Sequence, residues 1–318
     1  MSSFLFSLNA VAPVFLLMVL GMFFRKVHVV NEEFAGYMNK FVFNIALPVM
    51  LFQDLSTTDL DKDWDGKFVL FCVAATLLSV VIVSLLALLM KDHEGRGEFI
   101  QGSFRSSATL LGAAFVKAIY GTEGIAPMMI LAAAPIYNIM AVVILAATEP
   151  AKDGNKQKID SSFLRQTFFK VLKNPLIIGI AIGFAWSALR LHEPEWMSSV
   201  CTSLSNMATP MGLIAMGASF SFSHITDDLK PVCSAVFLKL IGLPAIFLTA
   251  AIICGFEKEE LVAILVMLAA PTTVSSFVMA KTMGHKGNMT GAIVALTTAL
   301  SAVTLTLWIT MIKNMGFI

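Results

Sequence analysis

The sequence predicts an all-α membrane protein: ten transmembrane helices in two inverted five-helix repeats, with broken, crossing helices in spans 4 and 9. Three observations lead there. Of the 318 residues 57% are hydrophobic and only 14% charged, whereas a soluble domain carries about 25% charged residues; the mean hydropathy is +0.82. Apolar runs long enough to cross a bilayer recur along the whole chain. Prolines, glycines and asparagines return at one fixed offset between the two halves.

The ten runs fall at 4–24, 34–54, 68–90, 101–121, 125–148, 171–190, 198–221, 231–254, 259–281 and 289–312. One connection is long and polar, Glu149–Lys170. It divides the chain into an N-terminal repeat (1–148), a linker (149–170) and a C-terminal repeat (171–318). Lys and Arg counts set the orientation. With the N-terminus outside, the inner segments hold thirteen basic residues, Arg25, Lys26, Lys91, Arg96, Lys152, Lys156, Lys158, Arg165, Lys170, Lys173, Lys230, Lys281 and Lys286. The outer segments hold five, Lys62, Lys67, Arg190, Lys258 and Lys313. The outer loop after span 2 carries Asp59, Asp61 and Asp63. Both termini are therefore expected outside and the linker in the cytoplasm.

Spans 1 and 6 share Pro13 with Pro175 and Gly21 with Gly183, all 162 residues apart. Spans 2 and 7 share Asn44 with Asn206 and Pro48 with Pro210 at the same offset. Five spans per copy is an odd number, so the second copy starts on the opposite side of the membrane, as in many secondary transporters. The bland reading of Asn44 and Asn206 is an interhelical hydrogen bond, worth about 1 kcal/mol in a membrane.

Span 4 is the least apolar. It reads Gln101-Gly102-Ser103-Phe104-Arg105-Ser106-Ser107-Ala108-Thr109 and then reaches Gly112. Ser106, Ser107 and Thr109 can bond to neighbouring carbonyls and bend a helix, and glycine weakens it. Arg105 and Lys117 are cations inside the span, a costly placement that marks function, although both lie near enough to the span's ends to snorkel. Lys40 and Lys239 are expected at the interfaces. In span 5, Asn138 should face protein, either lining a site or holding helices together.

Span 9, Leu261–Lys281, breaks halfway at Ala270-Pro271-Thr272-Thr273-Val274-Ser275-Ser276. Proline has no N–H for the helix ladder and clashes with the preceding turn. In hydrocarbon an opened backbone is tolerated only where protein or a water-filled cavity satisfies it. Thr272, Thr273, Ser275 and Ser276 either restore those bonds or line a substrate site. The half-helix starting near Thr272 would aim its positive end at an anion. The offset lays Thr109 on Pro271, so spans 4 and 9 should cross.

Several classes are excluded. No basic run with interleaved aromatics supports nucleic acid. Cys72, Cys201, Cys233 and Cys254 show no metal-like spacing and read as reduced packing residues. No charged segment precedes the first apolar run, so no signal peptide is expected. Paired histidines of a zinc protease, a membrane aspartyl pair and phosphate-binding glycine loops are all missing, so no enzyme is expected. No Asp or Glu lies near the middle of a span, and Asp54 and Glu149 sit at span ends. Carboxylate-based proton coupling is therefore disfavoured, while uniport and sodium coupling through hydroxyls and carbonyls stay open. The Gly179…Gly183 pair reads as close packing inside the fold.

Asn44…Pro48, Asn174-Pro175-Leu176-Ile177, Pro210-Met211-Gly212-Leu213-Ile214-Ala215-Met216-Gly217 and Ala270-Pro271-Thr272 resemble the auxin efflux carrier family, in a short bacterial form, over nearly the whole chain. The resemblance implies a scaffold domain beside a transport domain in which helices 4 and 9 cross. It implies a homodimer in the bacterial cytoplasmic membrane that moves small organic anions: auxin in plants, dicarboxylates such as malate or malonate in bacteria. The chain departs from the family in span 4. Where members carry Arg-x-Asn and then Gly-x-Pro, it has Arg105-Ser106-Ser107 and a residue near Ala114. The expected function is a secondary transporter of a small organic anion, with no cofactor, binding at Asn44, Arg105, Ser106, Ser107, Thr109, Asn138, Pro271, Thr272, Thr273, Ser275 and Ser276. A membrane sensor or accessory protein on a transporter scaffold is the alternative that the departure motivates.

Overall fold

The computed structural model describes residues 2–57, 65–108, 116–117, 119–120, 124–150, 161–219 and 229–318, and the side chains of all of these except 2–11 and 161–164. The expected site residue Thr109, the span 4 positions Gly112 and Ala114, the acidic loop at Asp59–Asp63 and the linker lysines Lys152, Lys156 and Lys158 lie outside them. Among the described residues every regular element is helical.

The chain runs α1 (Ser2–Lys26), α2 (Glu32–Ser56), α3 (Gly66–Ala87), α4 (Arg96–Phe104) and α5 (Ala126–Ala147). It continues with α6 (Ser161–Leu172), α7 (Pro175–Ala188), α8 (Glu195–Ser219) and α9 (Leu229–Ile253). It ends with α10 (Lys258–Ala269), α11 (Ser275–Thr282) and α12 (Asn288–Asn314). The starts obey local chemistry. Asn31, Asp65 and Asn174 cap α2, α3 and α7 by accepting backbone N–H groups. Glu257 and Glu260 form a reciprocal capping box on α10.

α2, α3, α5, α9 and α12 are long and apolar enough to cross a membrane, and the pair α6–α7, bent by 57°, makes a sixth candidate. The bent pair also shows that the end of the expected linker is helical. α8 carries serines, threonines and Asn206 along its length and has a lower apolar content. α10 and α11 have 12 and 8 residues, about 18 and 12 Å at 1.5 Å per residue, so neither alone crosses a core of about 30 Å. Apolar residues left exposed on α3, such as Leu70, Leu78 and Leu85, would be a liability in water and suit a lipid face.

α2 and α9 share a feature that the apolar pattern did not reveal. Each widens into one π-helical turn, Val42–Ala46 and Leu238–Gly242, and each has a proline two residues later, Pro48 and Pro244. The proline ring pushes against the carbonyl four residues back, and the wider turn takes up the strain. In α2 the Asn44 amide Nδ2 donates to the Lys40 carbonyl at 2.8 Å.

α1 packs on α8, and α7 packs on α2. Glycines make both contacts close. A Cβ on Gly21 would strike the Ile214 carbonyl of α8, and one on Gly217 the Met18 carbonyl of α1. On the other pair, a Cβ on Gly179 would lie 2.5 Å from the Pro48 carbonyl, and one on Gly183 would lie 2.9 Å from that of Phe52. The Gly179…Gly183 pair thus packs inside the fold, as expected. α3 packs on α4 and α5, while α9 packs on α4, α10 and α12. After its charged first turn α10 is apolar on every side, and Leu261 to Ala269 are all buried, as a helix at the centre of a bundle must be.

Candidate functional site

Two helices, α4 and α10, end beside each other inside this bundle. α4 ends at Phe104, and Arg105 is extended (φ −66°, ψ 143°). α10 ends at Ala269, and Ala270 is extended in the same way (φ −62°, ψ 152°). Each break leaves carbonyls without an intrahelical donor, and hydrocarbon offers none. The two breaks satisfy each other. Thr272 Oγ1 donates to the Gly102 carbonyl at 2.7 Å. Ser107 N–H donates to Pro271 O at 2.9 Å, and Ser106 Oγ to Ala270 O at 3.3 Å. Gln101 Nε2 reaches Ser276 O at 3.0 Å. From outside the crossing, the Tyr137 hydroxyl donates to Met267 O at 3.0 Å and Lys239 Nζ to Leu268 O at 2.6 Å.

A cavity of about 400 Å³ opens beside the crossing, walled by α2, α5, α8, α11 and both breaks. Arg105 reaches it fully buried, at 2% exposure. Its Nη2 donates to Asn138 Oδ1 and Ser275 Oγ, both at 2.8 Å, and its Nη1 to Met279 Sδ at 2.7 Å. Its Nε has no hydrogen-bond partner, and among the described residues it forms no ion pair. Helix dipoles partly offset and partly add to this charge. Arg105 follows the negative end of α4, Lys239 sits on that of α10, and the positive end of α11 opens at Val274, which gives no side-chain cap. A buried guanidinium held by neutral partners keeps its charge available to an anion.

The expected site residues divide. Arg105, Ser106, Ser107, Asn138, Thr273 and Ser275 line the cavity. Pro271, Thr272 and Ser276 belong to the crossing but not to the cavity wall. Thr272 is 2% exposed and spends its hydroxyl on Gly102, while its N–H donates to Thr297 Oγ1 at 3.1 Å. Ser276 is buried with its carbonyl held by Gln101. Asn44 is also away from the site: it is exposed and bonds to the Lys40 carbonyl of its own helix. Its sequence mate Asn206 does line the cavity, so mirrored positions here do not carry mirrored side-chain roles.

Two expectations about charge are corrected. Arg105 does not snorkel, because α4 starts at Arg96 rather than near 101 and so places Arg105 about nine residues, roughly 14 Å, into the span. Lys239 is not interfacial. It is 1% exposed and bonded to α10. Two carboxylates at helix ends, where the sequence leaves them, turn into the protein. Glu98, in the first turn of α4, is 3% exposed and accepts Gly287 N–H, Thr290 N–H and the Thr290 hydroxyl at 2.8–3.0 Å, fastening α4 to the start of α12. Asp54, at the end of α2, lines the same cavity as Arg105. Asp54, Tyr137, Ser205 and Thr209 are among the lining groups that pattern reading passed over. A charge in a helix's last turn and a phenol in an apolar run give no sign of what they face.

A family model described as "Membrane transport protein" matches residues 6–309. A Rhizobium meliloti protein, provisionally named a malonate transporter, is 23% identical over 302 residues, covering 93% of this chain and 92% of that protein. The uncharacterized transporter YfdV of Escherichia coli K12 is 22% identical over 325 residues, covering 96% of this chain and 97% of that protein. Among solved structures, the sodium proton antiporter MjNhaP1 from Methanocaldococcus jannaschii superposes with a TM-score of 0.61 over 92% of this chain and 91% of that one. At 14% identity this likeness is one of fold. With the family model covering nearly its whole length, the chain belongs to the membrane transport protein family, that of the auxin efflux carriers.

Proposed function

We propose that this chain is a secondary transporter of a small organic anion, with a carboxylate of the substrate bound by Arg105. The observation that carries this reading is the fully buried guanidinium of Arg105, which lines the cavity and forms no ion pair among the described residues. Asn138 and Ser275 hold it in place, and Thr273, Ser106 and Ser107 offer hydroxyls around it. Pro271, Thr272 and Ser276 maintain the crossing that positions these groups. The relative provisionally named for malonate favours a dicarboxylate.

The reading includes ten spans in two inverted repeats, 1–148 and 171–318, on either side of the linker. It is supported by the 162-residue offset and by the reciprocal glycine contacts, Gly21 against α8 and Gly183 against α2. A second cavity of about 340 Å³ lies near the start of α2, lined by Lys40 and Lys281, while the first reaches Asp54 at that helix's other end. Openings at opposite ends of one span suit alternating access. The basic-residue asymmetry supports both termini lying outside, and the family resemblance suggests a bacterial cytoplasmic membrane and a homodimer.

The test is ligand-induced stabilisation of the purified protein with mono- and dicarboxylates. A ligand at about one hundred times its Kd raises stability by about 2.7 kcal/mol. A carboxylate should stabilise the wild type and not Arg105→Gln, with saturable uptake of the same compound in liposomes. Equal stabilisation of both proteins would overturn the assignment.

A further inference from the structure

The cavity carries charges of both signs. Arg105 and Asp54 line it together, and apart from the Tyr137 phenol, already donating to Met267 O, no other ionisable side chain does so among the described residues. Of the elements packed against α2, α7 contributes no ionisable residue over Pro175–Ala188. α8 turns Ser205, Asn206 and Thr209 toward the cavity, while its Glu195 and Cys201 lie outside the lining. α11 and the turn before it present Ser275 and Thr273, and Lys281 of α11 lines the other cavity. Asp54 is also two residues from the end of α2 at Ser56, where the helix's own field opposes negative charge.

A doubly charged anion on Arg105 would meet the Asp54 carboxylate across the same cavity. Like charges in a partly desolvated space repel strongly, and Arg105 neutralises only one of the two substrate charges. We propose that Asp54 is a cation-coupling site: a monovalent cation, either a proton or Na⁺, binds there with the anion and crosses with it. The inference rests on the anion site at Arg105. It reverses the sequence-based expectation against carboxylate coupling. The hydroxyls and amide of Ser205, Asn206 and Thr209 supply the neutral oxygens that a bound Na⁺ would use. A proton would need only the carboxylate. Binding is balanced in either case: one substrate carboxylate on the guanidinium, one cation on Asp54.

The experiment measures malonate affinity on the purified full chain by calorimetry. One arm varies pH without sodium, over a range in which malonate stays doubly ionised. The other varies Na⁺ at fixed pH. Proton coupling makes wild-type affinity fall as pH rises, by up to about tenfold per unit. Sodium coupling makes it rise with Na⁺ at constant ionic strength. Asp54→Asn, neutral like the protonated acid, should bind malonate with an affinity flat in both arms. Arg105→Gln should lose malonate under every condition. In the absence of anion, Na⁺ should raise the melting temperature of the wild type, and not of Asp54→Asn, only in the sodium case. If Arg105→Gln abolishes binding but wild-type affinity ignores both pH and Na⁺, coupling at Asp54 is refuted while the anion site stands. If the wild type binds no carboxylate, both fall. If it instead binds amino acids through Asp54, the residue recognises substrate and the coupling role is wrong.

Discussion

Thr272→Val separates the two jobs that hydroxyls perform at the crossing. Valine keeps the branched shape, so no cavity is made, and the Thr272 N–H still donates to Thr297 Oγ1. What is lost is the 2.7 Å bond from Thr272 Oγ1 to the Gly102 carbonyl. That carbonyl sits in the last turn of α4, deep in the protein, where water is not a substitute partner. Leaving a buried acceptor unsatisfied costs about 1–3 kcal/mol, and interhelical bonds inside membranes average about 0.6 and reach about 1.7 kcal/mol. The expected loss is therefore about 1–2 kcal/mol. At roughly 2–4 °C per kcal/mol for a chain of this order, the melting temperature should fall by about 2–8 °C. Because Thr272 does not face the cavity, anion affinity should stay within about twofold, well under the 1.4 kcal/mol that a tenfold change represents. The assay pairs thermal melting with calorimetric titration on the same preparation. A tenfold weaker affinity with an unchanged melting temperature would mean that Thr272 contacts substrate and that the division of roles drawn from the bonds is wrong.

Lys239→Met exchanges a buried ammonium for an apolar chain of similar length. It orphans the Leu268 carbonyl, at about 1–3 kcal/mol, but removes a desolvated charge whose penalty is several kcal/mol. The melting temperature should hold or rise while anion affinity falls, because positive charge is lost at the end of α10; a clear drop in melting temperature would show that the ammonium is net stabilising. Glycine substitutions should split by position. Gly183→Ala forces a methyl to within 2.9 Å of Leu55 and the Phe52 carbonyl and should lower folded yield in detergent. Gly36→Ala meets nothing within 4 Å and should be neutral or stabilising by about 0.5–1 kcal/mol; equal effects of the two on yield and melting would contradict the packing of α7 on α2.

The break in span 9 was legible because proline's missing N–H is a fixed chemical fact at a known position. The break in span 4 was legible less directly, from clustered hydroxyls in a poorly apolar run. Which hydroxyl repairs backbone and which faces the cavity was not legible. Thr272 and Ser275 are three residues apart, and only the register of the facing helix decides that one meets Gly102 and the other Arg105. The depth of Arg105 was hidden by a boundary. Charges at Arg96 and Glu98 made the first turn of α4 look like loop, yet an acid is favoured at a helix start, and Glu98 also caps the neighbouring α12. Asp54 was visible as a residue and invisible as a site, since a side chain at a helix end can face headgroups, solvent or a cavity with the same sequence around it.

The bonds at the crossing also constrain how the proposed transport can proceed. Gly102, Ser106 and Ser107 of one break are tied to Thr272, Ala270 and Pro271 of the other, so pulling the breaks apart would orphan several buried groups at once. A motion that leaves these bonds intact and slides the crossing along its neighbours costs far less. The seam between α8 and α11 is one such surface, because Gly212 faces Val274 and Val278 with no side chain of its own. A cysteine pair tests it. A Cβ on residue 212 would lie 3.3 Å from Val278 Cγ2 and more than 4 Å from Val278 Cβ, toward the long end of the Cβ separation of about 3.5–4.5 Å that a disulfide needs. After replacement of Cys201, Cys233 and Cys254, which are at least partly exposed, oxidised Gly212→Cys/Val278→Cys should lose anion flux in liposomes and recover it on reduction. Its anion affinity should persist, since neither position holds Arg105. Full flux from the fully cross-linked protein would place the moving seam elsewhere, and loss of binding together with flux would mean that the cross-link distorts the cavity rather than arresting its movement.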